Sequence, residues 1–96
     1  MGIVEEIKYM KIIGVVIVDS LGKCFKGKAP KRHADLIIEM THFYHKYARI
    51  PRVTFYGFYT DDDKILSREE AYILANQNGQ AKVNRLSQKL FSEDLW

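Results

Sequence analysis

The sequence is nearly without cysteine and proline. Cys24 is alone among 96 residues, which excludes an intrachain disulfide framework and any cysteine-based zinc finger. Two Pro and six Gly are too few for a collagen-like or low-complexity chain. Long apolar runs are also missing. The longest, Ile12 to Val18, holds seven residues including Gly14, against the roughly 20 of a membrane span. The first residues, Met1 to Glu6, are acidic where a signal peptide is basic, so the expectation is a reduced cytosolic protein. No G-x-x-x-x-G-K-[ST] and no G-x-G-x-x-G occurs, which weighs against triphosphates and dinucleotides held in the usual loops.

What is present has a globular balance, 47% apolar and 28% charged. The length is that of one domain, 1–96. A domain of this size buries only about 60–65% of the surface its unfolded chain exposes, so stability calls for a dense core or a second subunit. Twelve aromatics are many for so small a surface, and some are expected in a ligand site or a subunit contact.

Charge is unevenly spread. The net charge is +3, but Lys23 to Arg52 carries eight basic residues against Asp35 and Glu39, a local +6. Asp61 to Glu70 holds five acids against Lys64 and Arg68, a local −3. The first attracts phosphate; the second discourages wrapping by a long duplex. A compact anion suits this pattern better than a nucleic-acid polymer.

Tyr9 to Val18 predicts a strand apolar on both faces, hence buried on both sides or covered by a partner. Asp19-Ser20-Leu21-Gly22 is a turn, and Lys23 to Lys26 returns antiparallel. A helix is predicted from Arg32 or His33 to about Tyr47. Leu36, Met40, Phe43 and Tyr47 form one apolar stripe, and Ile37, Thr41, Tyr44 and Ala48 the next. Arg52 to Tyr59 is an aromatic strand in which Gly57 signals a bulge or a close backbone approach. Ile65-Leu66 reads as a short strand or bridge. Ser67 to Glu70 is a capping box, opening a helix over Arg68 to Asn78 that Gly79 stops. Ala81 to Phe91 is amphipathic and predicts a third helix. The fold class is α+β, a small antiparallel sheet with helices packed on one side.

His42-x-x-His45 can share a helix face, but His33 is three turns away and no third ligand has metal spacing, so no metal is expected. Asp61-Asp62-Asp63 opens like a calcium loop, yet Leu66 stands at the glycine position and Tyr72 where the closing Glu belongs. Cys24 and His33 are the material for nucleophilic catalysis, without a supporting elbow motif. A binding constellation is better supported. The Lys28 to His33 loop brings cations to a helix N-terminus, where free N–H groups favour an anion. Arg85 and Lys89 add two more. The aromatic strand Phe55 to Tyr59 supplies stacking surfaces, with Gly57 to let a base come close.

Several blocks carry a family likeness: Gly22-Lys23-x-Phe25-x-Gly27, Arg32-His33-x-Asp35, Gly57-Phe58-x-Thr60, Arg68-Glu69-Glu70-Ala71, Gly79-Gln80 and Leu90-Phe91-Ser92-Glu93-Asp94-Leu95-Trp96. Across nearly the whole chain the pattern resembles the phage type-one anti-Thoeris sponges, which sequester cyclic ADP-ribose signals. The resemblance implies a homo-oligomer, a dimer or a hexamer built from dimers, that encloses the ligand between subunits without cleaving it. It also implies action in the cytoplasm of the infected host, with no cofactor and no membrane. Carried over by motif, Phe58 stacks on the adenine, and Arg85 and Lys89 hold phosphates from the C-terminal helix. Ser67 stands near a polar contact, and Arg32 and His33 complete the anion pocket. Two departures bear on this: His33-Ala34-Asp35 where relatives often read His-His-Asp, and Ser67 where Asn or Asp often precedes Arg-Glu-Glu. The rival expectations are a nucleic-acid- or partner-binding module using the +6 segment, and a small hydrolase using His33 and an acid.

Overall fold

The computed structural model describes residues 10–47 and 49–96. Readings that fall on residues 1–9 and on Ala48 lie outside the described residues. The elements are β1 (Ile12–Asp19), β2 (Cys24–Lys28), α1 (His33–Phe43), β3 (Val53–Thr60), β4 (Ile65–Ser67) and α2 (Arg68–Asn78), followed by a 3-10 turn (Ser92–Asp94). The sheet order is β2-β1-β3-β4, every neighbouring pair antiparallel. The expected α+β class is the observed one.

Strand β1 is apolar on both faces because it lies inside the sheet, hydrogen-bonded on both edges. A bulge helps to place its side chains. Ile12 pairs with Thr60 and Gly14 with Tyr59, so Ile13 is an extra residue. The added residue brings Ile12 onto the face of Val15 and Ile17. On that face Val15, Ile17 and Phe58 form one core cluster with Leu36, Met40 and Tyr44 of the α1 segment and Ala71, Leu74 and Ala75 of α2. Both helices therefore pack on one side of the sheet, as expected.

The opposite face is closed by its own side chains. A Cβ on Gly14 would lie 2.2 Å from Tyr59 Cε1, and one on Gly57 would lie 2.5 Å from Phe55 Cε2. Two rings thus lie across two glycines. Gly57 serves a close approach and not a bulge, and Phe55 fills the space that the sequence suggested for a base. Val16 on this face is fully buried and stands outside the core cluster that the helices share.

Helix α2 has the predicted limits. The Ser67 hydroxyl accepts from the Glu70 N–H at 3.1 Å, and the Glu70 carboxylate accepts from the Ser67 N–H at 2.8 Å. Gly79 ends the helix at φ 82°. Helix α1 gives way at Phe43 to turns that reach Tyr47, and its apolar face is narrower than expected. Leu36, Met40 and Tyr44 are buried, whereas Phe43 and Tyr47 are exposed.

The predicted third helix over Ala81 to Phe91 does not form. Side chains take the backbone groups that a helix would pair internally. Asn76 Oδ1 accepts from the Val83 N–H, and the Tyr72 hydroxyl donates to the Val83 carbonyl and accepts from the Arg85 N–H. Gln88 is left-handed at φ 52°, a conformation a right-handed helix cannot contain. Leu86, expected on the apolar side, is 104% exposed, while Leu90 is buried. Among the described residues no helix is long and apolar enough to cross a membrane.

Asp19 ties the turn after β1 to α1. Its carboxylate accepts from the Leu21 and Lys23 N–H groups at 2.9 Å each and from the Tyr44 hydroxyl at 2.7 Å. Burial alone would raise the Asp19 pKa, but these bonds outweigh it and hold the carboxyl below its ordinary value. The same bond pushes the Tyr44 phenol up to about 12.

A cationic cleft at the start of helix α2

The strand-to-helix passage from β4 into α2 places Ser67 at the N-cap and Arg68 in the first helical position. Beside them a cleft of about 250 Å³ is lined by Thr54, Phe55, Tyr56, Ser67, Arg68, Glu69 and Lys89. Tyr56 pairs across the sheet with Ile17, so its ring is on the helix face and meets Arg68. The Arg68 guanidinium carbon is 4.5 Å from the Tyr56 ring centre and 5.5 Å from that of Phe91. Held between two rings, the guanidinium is preorganised. The C-terminal segment also closes onto this residue, because the Arg68 carbonyl accepts from the Leu90 N–H at 3.0 Å.

Arg68 has an unusual feature for a half-buried cation. Its Nε is buried and, among the described residues, has no hydrogen-bond partner. A buried donor left unpaired costs about 1–3 kcal/mol. An anion in the cleft would meet the charge of the Arg68 guanidinium, and Lys89 adds a second positive charge to the lining. The Glu69 carboxylate opposes them, so the net charge favours one phosphate over several. Ser67 Oγ spends an acceptor site on the Glu70 amide and keeps its own proton to donate.

The residues nominated from sequence separate in space. Ser67 and Lys89 both line the cleft. His33 stands behind it, its ring edge-on to Tyr56 at 5.7 Å and to Phe58 at 5.0 Å. Its Nε2 lies 2.7 Å from the Gly57 carbonyl; a carbonyl only accepts, so Nε2 carries the proton. Burial pushes the His33 pKa down and the charge of Arg68 acts in the same sense, which favours neutral imidazole. This ring is engaged with Gly57 and the aromatics, not with Cys24, which is exposed on β2.

Three of the nominated residues are placed otherwise than expected. Phe58 has no exposed surface, so its ring packs in the core and cannot stack on an adenine. It points inward because it pairs with Val15, on the face the helices cover. Arg85 is not on a helix, and its guanidinium is already engaged. It binds both Asp94 oxygens, at 2.6 and 2.9 Å, and donates to the Lys89 carbonyl at 2.8 Å. That fork is a bidentate pair, and it holds the Asp94 carboxyl below its ordinary value. Arg32 donates from Nε to the Trp96 carbonyl at 2.7 Å, and the Trp96 indole donates to the Lys31 carbonyl at 2.7 Å. Arg32 therefore anchors the C-terminal segment at the start of α1.

Sequence reading missed Arg68 as a ligand candidate, although it named the residue within the Arg68-Glu69-Glu70-Ala71 block. The available signal was a cation immediately after the Ser67 N-cap, on a short strand that pairs with the aromatic one. The exposed rings of His42 and His45 stack on each other at 5.2 Å. Among the described residues no group of three or more His, Cys, Asp or Glu is placed to hold a metal ion.

Fold and cleft together define a small α+β protein with one ring-lined, cationic recess at a helix start. The chain belongs to the phage T4 y16D protein family, whose model matches residues 10–96. No curated protein and no solved structure matches it. The family description carries the phage origin and names no ligand.

Proposed function

We propose that the protein binds and sequesters a small cyclic nucleotide signal in the Ser67–Arg68–Lys89 cleft and does not cleave it. The observation that carries this reading is the Arg68 guanidinium, stacked on Tyr56 at the wall of a cleft that Lys89 also lines. A phosphate in the cleft would meet the guanidinium's charge, with the Lys89 ammonium and the Ser67 hydroxyl as donors. The base stacks on Phe55, which lines the same cleft, in the role first expected of Phe58. A space of about 250 Å³ suits one nucleotide unit and falls below the roughly 300–1,000 Å³ of ordinary ligand pockets. A cyclic signal with further units needs additional walls, which a second subunit supplies in a homo-oligomer.

Sequestration without turnover is supported by what surrounds the cleft. The nearby imidazole of His33 is occupied by a backbone carbonyl, and Ser67 is a helix cap. The resemblance to the anti-Thoeris sponges favours a cyclic ADP-ribose isomer, and cyclic di- and trinucleotides are the next class. The test is isothermal titration with both classes, followed by denaturation and mass analysis of the released ligand. Binding with the ligand recovered intact supports the proposal. Arg68→Ala is expected to weaken binding about 10- to 100-fold, the scale of one charged hydrogen bond. No heat with any of these nucleotides, or full affinity in Arg68→Ala, refutes it. Product accumulating with time points instead to a hydrolase, and steeply salt-dependent binding of single-stranded DNA to a nucleic-acid module.

A further inference from the structure

At one end of the sheet the turn from β1 into β2 meets the end of α1 and the approach to β3. The Ser20 N–H donates to the Arg52 carbonyl at 2.8 Å, and the Tyr44 hydroxyl donates to Asp19 at 2.7 Å. The Lys23 ammonium lies 4.6 Å from the centre of the Phe43 ring, and the Tyr47 ring is 6.0 Å from that of Tyr44. Half of the large apolar side chains that stand exposed among the described residues gather here. Leu21 is 72% exposed and Tyr47 63%, and Phe43 and Ile50 are exposed as well. Single apolar side chains on a surface are ordinary, whereas a cluster of them marks a contact. Leu21 is also held in place. The Asp19 carbonyl accepts from the Gly22 N–H at 2.9 Å, with Gly22 left-handed at φ 87°, and the Asp19 carboxylate takes the Leu21 and Lys23 N–H groups. The turn is closed on itself before any partner arrives, so presenting Leu21 outward adds little ordering cost to binding.

The charge around these apolar groups has one sign. Lys23, Lys46, Arg49 and Arg52 are exposed, and among the described residues none of the four is in an ion pair. Residues 20–28 and 40–54 include no acid. Asp19 is 1% exposed and spends its oxygens on three internal bonds. Asp61 to Asp63 follow the far end of β3, since Val53 pairs with Asp19 and Thr60 with Ile12. The occupant of this end is therefore anionic and also gains from apolar contact. Single-stranded nucleic acid is anionic, but it calls for open ring faces on which bases stack. Lys23 covers the Phe43 ring, and Leu21 and Ile50 have no ring to offer. A bilayer with anionic headgroups meets both demands. Apolar side chains enter the boundary between headgroups and acyl chains, while Lys and Arg stay at the phosphates.

We propose that this end of the molecule is a peripheral docking surface for an anionic phospholipid bilayer, with Leu21 inserted and Lys46, Arg49 and Arg52 against the headgroups. It departs from the membrane-free expectation attached to the family resemblance. Co-sedimentation of the full chain with vesicles of mixed phosphatidylglycerol and phosphatidylcholine, and with vesicles of phosphatidylcholine alone, tests it. The wild type is expected to bind the mixed vesicles and not the neutral ones. Leu21→Ser is expected to weaken partitioning at least about tenfold. Arg49→Ser and Arg52→Ser together are expected to weaken it about 25-fold, at about fivefold per cation. The replaced side chains are exposed, so each variant should keep the wild-type circular dichroism spectrum. Lys64→Ser, beyond the far end of β3, should bind as the wild type does. A wild type that leaves the mixed vesicles bare overturns the proposal. Partitioning that Leu21→Ser does not weaken overturns it as well, because charge alone then holds the protein. Single-stranded DNA bound through Arg49 and Arg52, with the vesicles bare, overturns it and assigns this end to nucleic acid. None of these results bears on nucleotide binding at the α2 cleft.

Discussion

Phe58→Ala distinguishes a core ring from a ligand-stacking ring. The side chain is fully buried, packs in the cluster shared by both helices, and meets His33 edge-on at 5.0 Å. Removing it takes away the transfer free energy of a whole aromatic ring and leaves a cavity that a close-packed sheet–helix interface fills only in part. Phe→Ala at such sites costs about 3–5 kcal/mol. A chain of 96 residues has roughly 5–14 kcal/mol of stability in total, at ~0.05–0.15 kcal/mol per residue. The variant therefore loses a large share of its margin. Urea denaturation should show a lowered midpoint with an unchanged slope, and Tm should fall by at least about 12 °C. Phe58→Leu, which keeps most of the volume, should recover much of the loss. If Phe58→Ala instead costs less than about 1 kcal/mol while nucleotide binding disappears, the ring faces a ligand and the core assignment is wrong.

Stability should also report the state of His33. Its pKa lies below the ordinary value of 6.5 chiefly because burial disfavours the imidazolium, so the unfolded chain takes up a proton at a higher pH than the folded one. The His33 contribution to stability is then constant above the unfolded value and falls as pH drops through 6.5 towards the folded pKa. Denaturation midpoints at about pH 7 and about pH 5.5 should differ in the wild type and much less in His33→Gln; equal slopes in both proteins refute the assignment. Arg85→Ala should loosen the C-terminal segment and leave nucleotide affinity near that of wild type, because the guanidinium is spent on Asp94 and the Lys89 carbonyl. Hydrogen exchange should accelerate at the amides of Leu90 and Trp96 and stay slow in β1; a variant that loses affinity while keeping those amides protected would return Arg85 to the ligand site. Asp94 should contribute its part of this anchoring only while ionised. Its folded pKa is lowered, mainly by Arg85, so the contribution is present above the unfolded value of 3.8 and lost as pH falls through the folded pKa. Exchange at Leu90 that is unchanged on acidification through that range would refute it.

Local chemistry made much of the fold legible. The limits of α2 follow from a hydroxyl at Ser67, a carboxylate at Glu70 and a glycine at Gly79, all acting within a turn of the residues they cap. The apolar alternation on both sides of Ile12 to Val18 states that the strand is interior to its sheet. Period two also determines that Phe55, Gly57 and Tyr59 share one face and Tyr56 and Phe58 the other.

Which of those faces the helices would cover is not a local property. Both carry aromatic rings, and only the packing of α1 and α2 placed Phe58 in the core and left Phe55 at the edge of the cleft. The same limit explains the segment after Ala81. Its apolar spacing is helical, but helix formation there competes with bonds from Tyr72, Asn76 and Asp94, residues 7 to 13 positions away in the chain. Periodicity does not register such partners, because they are defined by the position of α2 and the closing turn. The cleft arises in the same way: its two cations are neighbours in space and 21 residues apart in sequence, at Arg68 and Lys89. Short-range chemistry therefore determined where elements begin, end and alternate, whereas tertiary contact decided which rings and charges meet.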